Sequence, residues 1–365
     1  MTLPRITLLA TLLLAAPAAA QLQITPPATI PSPASEKQKK EAPKEAAKDK
    51  PKVAPHTITK KKEVAPKPSA SPSPTLPATV IPAPATDNSN VDLVFGAYQR
   101  GQYKTAFDLA GARAKAGDAK AMTMLGELYS NAMGIRRDYA KAVEWYKRAS
   151  DAGDREAMFA LAMLRIAGRG GPVDKGEAVK LMASAAKLGQ PKAAYNLALL
   201  YLDGQTLPQD LKRSAELLRQ AADAGVPEAQ YALATFYKEG TGVPKDPERS
   251  VRLLQAASLA DNVDAEVEYA IAMFNGTGTP KNQPAAVALL RKASRQGSAI
   301  AQNRLALVLI NGIGAPVDKV EGFKWHLVAK TAGKGDPDLD KQLADLPADD
   351  RAKAEAAAKK WLGNK

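Results

Sequence analysis

The chain contains no cysteine and only two histidines in 365 residues. That excludes disulfide staples, thiolate metal sites and a thiol nucleophile, so stability has to come from packing alone. His56 stands in a Pro/Lys-rich stretch and His326 follows Trp325 in an apolar helical context. Two imidazoles so separated make no transition-metal site, and His326 reads as a packed side chain. Aromatic residues are scarce at 5%, which favours helices packed through small side chains over sheet. No apolar run approaches the roughly 20 residues that a membrane helix needs.

What the chain has instead is a period. Gly117, Gly153, Gly189, Gly225, Gly297 and Gly333 stand on a spacing of 36, with Asp261 on the missing beat. Four residues after each mark comes Ala121, Ala157, Ala193, Ala229, Ala265 or Ala301, and thirty-two after it Ala149, Ala185, Ala221, Ala257, Ala293 or Ala329. A fixed period of this length marks stacked units. Each unit reads as two helices. The first begins just past the glycine and ends at a glycine pair such as Gly168/Gly170, Gly240/Gly242, Gly276/Gly278 or Gly312/Gly314; unit one keeps only Gly134 and unit three only Gly204. Asp138, Asp174, Asp210, Asp246, Asn282 and Asp318 then suit the N-cap of a second helix. That helix carries a small residue (Ala142, Ala178, Ser214, Ser250, Ala286, Gly322) and, three positions on, a large one (Trp145, Leu181, Leu217, Leu253, Leu289, Trp325). Small facing large is expected to interlock the helices, and neither helix buries its apolar stripe alone.

The run Ala121-x3-Leu125-Gly126-x2-Tyr129, then Gly134-x3-Asp138-x2-Lys141-Ala142-x2-Trp145-Tyr146-x2-Ala149-x3-Gly153, resembles the Sel1-like repeat, a branch of the tetratricopeptide-like helical proteins. The resemblance covers roughly residues 91–333. It implies an all-α fold: a right-handed αα superhelical solenoid of about six 36-residue hairpins. Residues 91–116 make an N-terminal tetratricopeptide-like hairpin, 117–333 the six repeats and 334–365 a C-terminal helical cap, with a free amphipathic tail as the other reading of that last segment. It also implies a non-enzymatic adaptor that binds protein partners. Some exported members carry a cysteine pair per repeat, and this chain departs from them.

Residues 1–20 have the make-up of a secretory signal: Arg5, the apolar Ile6 to Leu14, and the small residues Ala18, Ala19 and Ala20. Export, to a bacterial periplasm, is the expectation, with an uncleaved inner-membrane anchor as the alternative. Residues 21–90 hold 14 of the 27 prolines, no aromatic residue, and 11 lysines against 6 acids. Such composition is expected to form a disordered spacer whose lysines make weak contact with an anionic envelope surface. The remaining 39 basic and 32 acidic residues in 91–365 leave a modest positive excess. Nucleic acid is not an expected partner of an exported chain, and no cofactor pattern is present.

By the register of tetratricopeptide-like stacks, the first helices line a groove. The resemblance thereby nominates Lys192, Tyr195, Asn196 and Leu199 in unit three, and Glu228, Tyr231, Thr235 and Lys238 in unit four. Unit five adds Glu268 and Phe274, and unit six Asn303 and Arg304. Tyrosine and asparagine together suit a peptide ligand. One enzymatic alternative is Ser184-Ala185-Ala186-Lys187, which fits the Ser-x-x-Lys pattern of penicillin-interacting enzymes; Lys330-Thr331-Ala332-Gly333 breaks the Lys-Thr-Gly expected to accompany it.

Overall fold

The computed structural model describes residues 92–363, which belong to the compact unit Asn90–Lys365. The signal-like segment, the Pro/Lys-rich stretch, His56 and Val91 lie outside the described residues. Within them the chain forms sixteen helices and no strand. The helices α1 (Leu93–Gln99) and α2 (Tyr103–Lys115) make an opening hairpin. The first helices of the six repeats are α3 (Ala119–Asn131), α5 (Arg155–Ala167), α7 (Pro191–Asp203), α9 (Pro227–Glu239), α11 (Val263–Asn275) and α13 (Ala299–Asn311). The second helices are α4 (Tyr139–Asp151), α6 (Lys175–Lys187), α8 (Leu211–Asp223), α10 (Pro247–Leu259), α12 (Gln283–Gln296) and α14 (Lys319–Thr331). Two further helices, α15 (Pro337–Ala344) and α16 (Ala348–Gly363), close the chain.

Most helix starts have a local cause. The aspartates before the second helices cap them: Asp138, Asp174, Asp210, Asp246 and Asp318 each accept a hydrogen bond from the backbone N–H three residues on, at 2.8–3.0 Å, and Asn282 does so at 3.1 Å. Each such bond contributes about 1 kcal/mol. The first helices begin two residues past the marker glycine rather than directly after it, because the intervening residue is itself a cap. Asp118, Asp154, Gln190, Asn262 and Ser298 fill that place, and Val226 alone offers no side-chain bond. At the far end of these helices Gly168, Gly204, Gly240, Gly276 and Gly312 turn left-handed. Where glycine is missing the backbone stays left-handed: Ala132 at the end of α3 and Asp261 at the marker place after α10 both adopt φ +58°.

The repeat alanines lie at the helix crossings. Ala121, Ala157, Ala193, Ala229, Ala265 and Ala301 are buried, as are the alanines from Ala149 to Ala329 at the close of the second helices. Ser214 and Ser250 take the small place in two second helices and donate their hydroxyls to the carbonyls of Ala198 (2.8 Å) and Ala234 (2.7 Å). The deepest large side chain comes one position later than the sequence pattern suggests. Tyr146, Met182, Leu218, Leu254, Leu290 and His326 are buried, whereas Trp145, Leu181, Leu253 and Leu289 are only half-buried. A four-residue step stays on the same helical face as the small residue, while three residues drift toward its flank.

At the C-terminal end α16 packs on α14. Its Trp361 meets Trp325 edge-to-face at 5.1 Å, and the Lys324 ammonium lies 4.2 Å and 5.2 Å from the two ring centroids. That cover is why Trp325 is buried where its counterpart Trp145 is half-open beneath Arg148. The helix α15 is held by Asp340, which bonds His326 Nε2 at 2.8 Å and Lys330 Nζ at 2.8 Å. No described helix is long and apolar enough to cross a membrane.

The two glycine types differ in what surrounds them. A Cβ on Gly242 would collide with the backbone carbonyl of Leu211, the first residue of the preceding second helix, and Gly170 and Gly278 meet Tyr139 and Pro247 in the same way. Gly225 has open space around it and only its φ of +83° to defend. Gly225→Ala should therefore cost about 1 kcal/mol for the left-handed backbone, and Gly242→Ala distinctly more. Equal denaturation midpoints for the two variants would show that the repeats do not meet through these turns.

A second comparison concerns a buried carboxylate. Gln230 donates to the carbonyl of Ala222 (3.2 Å) and Gln302 to that of Ser294 (3.1 Å). Glu266, at the same repeat position, has no amide to donate and pairs instead with Lys292 at 3.0 Å, itself also bound to Asp261. Burying that carboxylate is costly. Glu266→Gln should raise the melting temperature, by the equivalent of about 1 kcal/mol; a lower midpoint would mean that the ion pair outweighs the amide bond.

Candidate partner-binding face

Along each first helix, places 2, 5, 6, 9 and 12 fall on one side. The nominated residues occupy these places on α7, α9, α11 and α13, and several of them interact from one repeat to the next. Tyr195 on α7 lies within electrostatic reach of Glu228 on α9; burial first, then that carboxylate, raises its phenol above the ordinary tyrosine value. Lys238 on α9 bonds Glu268 on α11 at 2.7 Å. Glu268 also acts on Arg304 of α13, whose guanidinium burial pulls below its usual value while Glu268 works the other way.

Tyr231 sits at the centre of this field. Burial pushes its phenol up to about 12, with Glu268, Asp264 and Glu239 adding to the shift. Lys192 and Glu228 are exposed, and Tyr195, Leu199, Tyr231, Thr235, Glu268, Phe274, Asn303 and Arg304 are half-buried. The half-buried tyrosines Tyr195 and Tyr231 pack against the core clusters. Thr235 returns its hydroxyl to the Tyr231 carbonyl, 3.2 Å away. Asn303 donates its amide to the Lys334 carbonyl past the end of α14, at 3.1 Å.

Asn196 is the member that does not lie open. It is 7% exposed, and its amide nitrogen donates to the Lys192 carbonyl of its own helix at 2.7 Å. Two acids that the sequence set omitted belong to the surface, Asp264 and Glu239, both exposed. Register alone identifies Asp264: it stands one repeat after Glu228 and two after Lys192.

The Ser-x-x-Lys match is placed on the opposite element type. Ser184 and Lys187 are exposed in the last turn of α6, and among the described residues no hydrogen bond joins the hydroxyl to the ammonium. A nucleophile needs a base in contact with it, and this pair has not formed one.

The Sel1 repeat matches residues 119–154, 155–190, 191–226, 227–262, 263–298 and 299–334, more than half of the chain, and each stretch starts where a first helix starts. The chain belongs to the Sel1 repeat family. Its members are in general protein–protein interaction scaffolds. Two solved structures are similar to this Sel1 repeat protein. One is a protective antigen present in uropathogenic Escherichia coli strains displaying an SLR fold, with a TM-score of 0.60 and 26% identity over 71% of this chain. The other is a Sel1 repeat protein from Oxalobacter formigenes, with a TM-score of 0.58 and 25% identity over 66% of this chain. The matched region spans 56% of the Escherichia coli antigen and 98% of the Oxalobacter protein. No curated protein matches the chain in sequence.

Tyr231 offers a titration of this surface. Its folded-state value of about 12 exceeds the ordinary tyrosine value of about 10, so its stabilising contribution is complete below pH 10 and disappears as the pH rises toward 12. Tyr231→Phe should remove a late step from the tyrosinate absorbance titration and move alkaline unfolding to higher pH. Loss of a step at about pH 10 instead would place Tyr231 in ordinary solvent.

Proposed function

We propose that this Sel1 repeat protein is an exported, non-enzymatic scaffold that holds a segment of a periplasmic protein along the surface of α7, α9, α11 and α13. The observation that carries the reading is the continuity of that surface: Tyr195, Glu228, Tyr231, Lys238, Glu268 and Arg304 interact from one repeat to the next. Half-buried tyrosines supply broad contact at small entropic cost, and the exposed charges of Lys192, Glu228 and Asp264 supply orientation. Export is supported by the charge, apolar stretch and small residues within positions 1–20. The lysines of 21–90 add weak attraction to an anionic envelope surface. The reading requires no cofactor and no nucleic acid.

Crosslinking in the periplasm followed by capture of the full chain tests it. The double charge reversal Glu228→Lys/Asp264→Lys should reduce recovery of the crosslinked partner about tenfold, while Glu248→Lys on α10, outside the surface, leaves recovery unchanged. Equal recovery from all three proteins would move the binding face elsewhere. Labelled penicillin should leave the protein unmarked; a stable adduct lost in Ser184→Ala would replace the scaffold by an enzyme.

A further inference from the structure

Away from that surface, three side chains from consecutive helices meet at the junction of the third and fourth repeats. Arg219 of α8 donates from Nη2 to the Tyr237 hydroxyl oxygen at 3.0 Å, and Arg249 of α10 donates from Nη1 to the same oxygen at 3.4 Å. Arg249 also lies over the Tyr237 ring, 5.6 Å from its centroid, and its Nε pairs with Asp246 at 3.1 Å. Tyr237 is 5% exposed, whereas both arginines reach solvent.

The repeat provides an internal control for this junction. Two repeats later the same three positions hold Arg291, Leu309 and Glu321. There Arg291 pairs with Glu321 at 2.6 Å, and Glu321 also accepts from Trp325. Two repeats earlier they hold Lys147, Arg165 and Glu177, and Arg165 pairs with Glu177 at 2.8 Å. In both places a glutamate answers the cation. At the third–fourth junction the glutamate position is Arg249, so two guanidiniums converge on one neutral phenol.

Among the described residues the only carboxylate bonded to either arginine is Asp246, and its other oxygen is already engaged in capping α10. Both guanidiniums retain further N–H groups, and the phenol hydrogen has no acceptor among the described residues. Burial alone would raise the Tyr237 phenol; the bonds and charges of Arg249 and Arg219 override it and leave the group below its ordinary value. The site is therefore electropositive at the phenol oxygen of a buried tyrosine.

We propose that Arg219, Tyr237 and Arg249 bind a phosphate group. A phosphate monoester carries close to two negative charges and three acceptor oxygens at neutral pH, which matches two guanidiniums and one phenolic O–H. The bound group supplies the negative charge that Glu177 and Glu321 supply two repeats away on either side. The site is independent of the partner-binding face, since none of its residues belongs to that face.

The test titrates the full chain with inorganic phosphate against chloride at equal ionic strength, followed by phosphorus NMR and by the thermal midpoint. Wild type should show saturable binding and a raised midpoint. Arg219→Gln and Arg249→Gln should each weaken phosphate about tenfold, Tyr237→Phe less, and Arg291→Gln not at all, with circular dichroism confirming that all remain folded. Saturable binding that is equal in wild type and Arg219→Gln, or no saturable effect beyond chloride, would overturn the proposal. Phosphatidylcholine vesicles with and without phosphatidic acid identify the source. Binding that needs both phosphatidic acid and Arg219 assigns a lipid headgroup, and phosphate binding without vesicle binding assigns a soluble phosphate; either result retains the site.

Discussion

The close approach of neighbouring helices, at places where no larger side chain fits, is the constraint from which the other features follow. A Cβ on Gly126 would lie 2.6 Å from the Tyr146 ring, and one on Gly322 lies equally near Ile310. Alanines fill the corresponding crossings of the other repeats at full burial, and Ser214 and Ser250 fit only because their hydroxyls bond carbonyls of the facing helix. Inserting one residue would rotate the following turn by about 100° and carry the small side chain out of the crossing. An unbroken spacing of 36 over six repeats is the consequence.

Because the crossings consume the small residues, variation is left to the sides of the helices that face solvent. There the repeats differ in charge while keeping their backbone. Along places 2 and 6 of the first helices the residues run from Lys192 through Glu228 to Asp264, Glu268 and Arg304, so one scaffold presents a changing electrostatic surface. The same freedom operates at the junctions between repeats. A glutamate closes the pair at Arg165 and at Arg291, and an arginine leaves the third–fourth junction open. In a stack each repeat touches only its neighbours, so such local changes do not disturb the rest of the fold.

The ends need separate solutions, since a terminal repeat has one unanswered face. At the C-terminal end Trp361, Leu339, Leu343 and Ala354 cover α13 and α14, and Asp340 ties the buried His326 to the cap. His326 replaces the Leu290 of the previous repeat because the cap brings a carboxylate to it. At the opposite end Asp92 caps α1 and pairs with Arg113 at 2.8 Å, while Leu93 and Phe95 stay exposed.

The hairpin count, the helix ends and the caps were legible in the chain itself, because they depend on residues a few positions apart. A glycine turn, a capping aspartate and an apolar stripe carry the same meaning wherever they occur, as Asp138 to Asp318 illustrate. The candidate residues for partner binding were legible only as a register. That register placed Tyr195, Glu228, Tyr231 and Glu268 on one side of their helices and extends to Asp264, yet it could not tell that Asn196 is buried or that Glu239 joins the field around Tyr231. Nor did it indicate which large side chain of each second helix reaches the core, Tyr146 rather than Trp145. Burial and pairing depend on atoms contributed by a neighbouring repeat, at a distance set by how two helices cross. The meeting of Arg219, Tyr237 and Arg249 arises in the same way: the spacing along the chain names each residue, and only the stacking brings their polar atoms to one point.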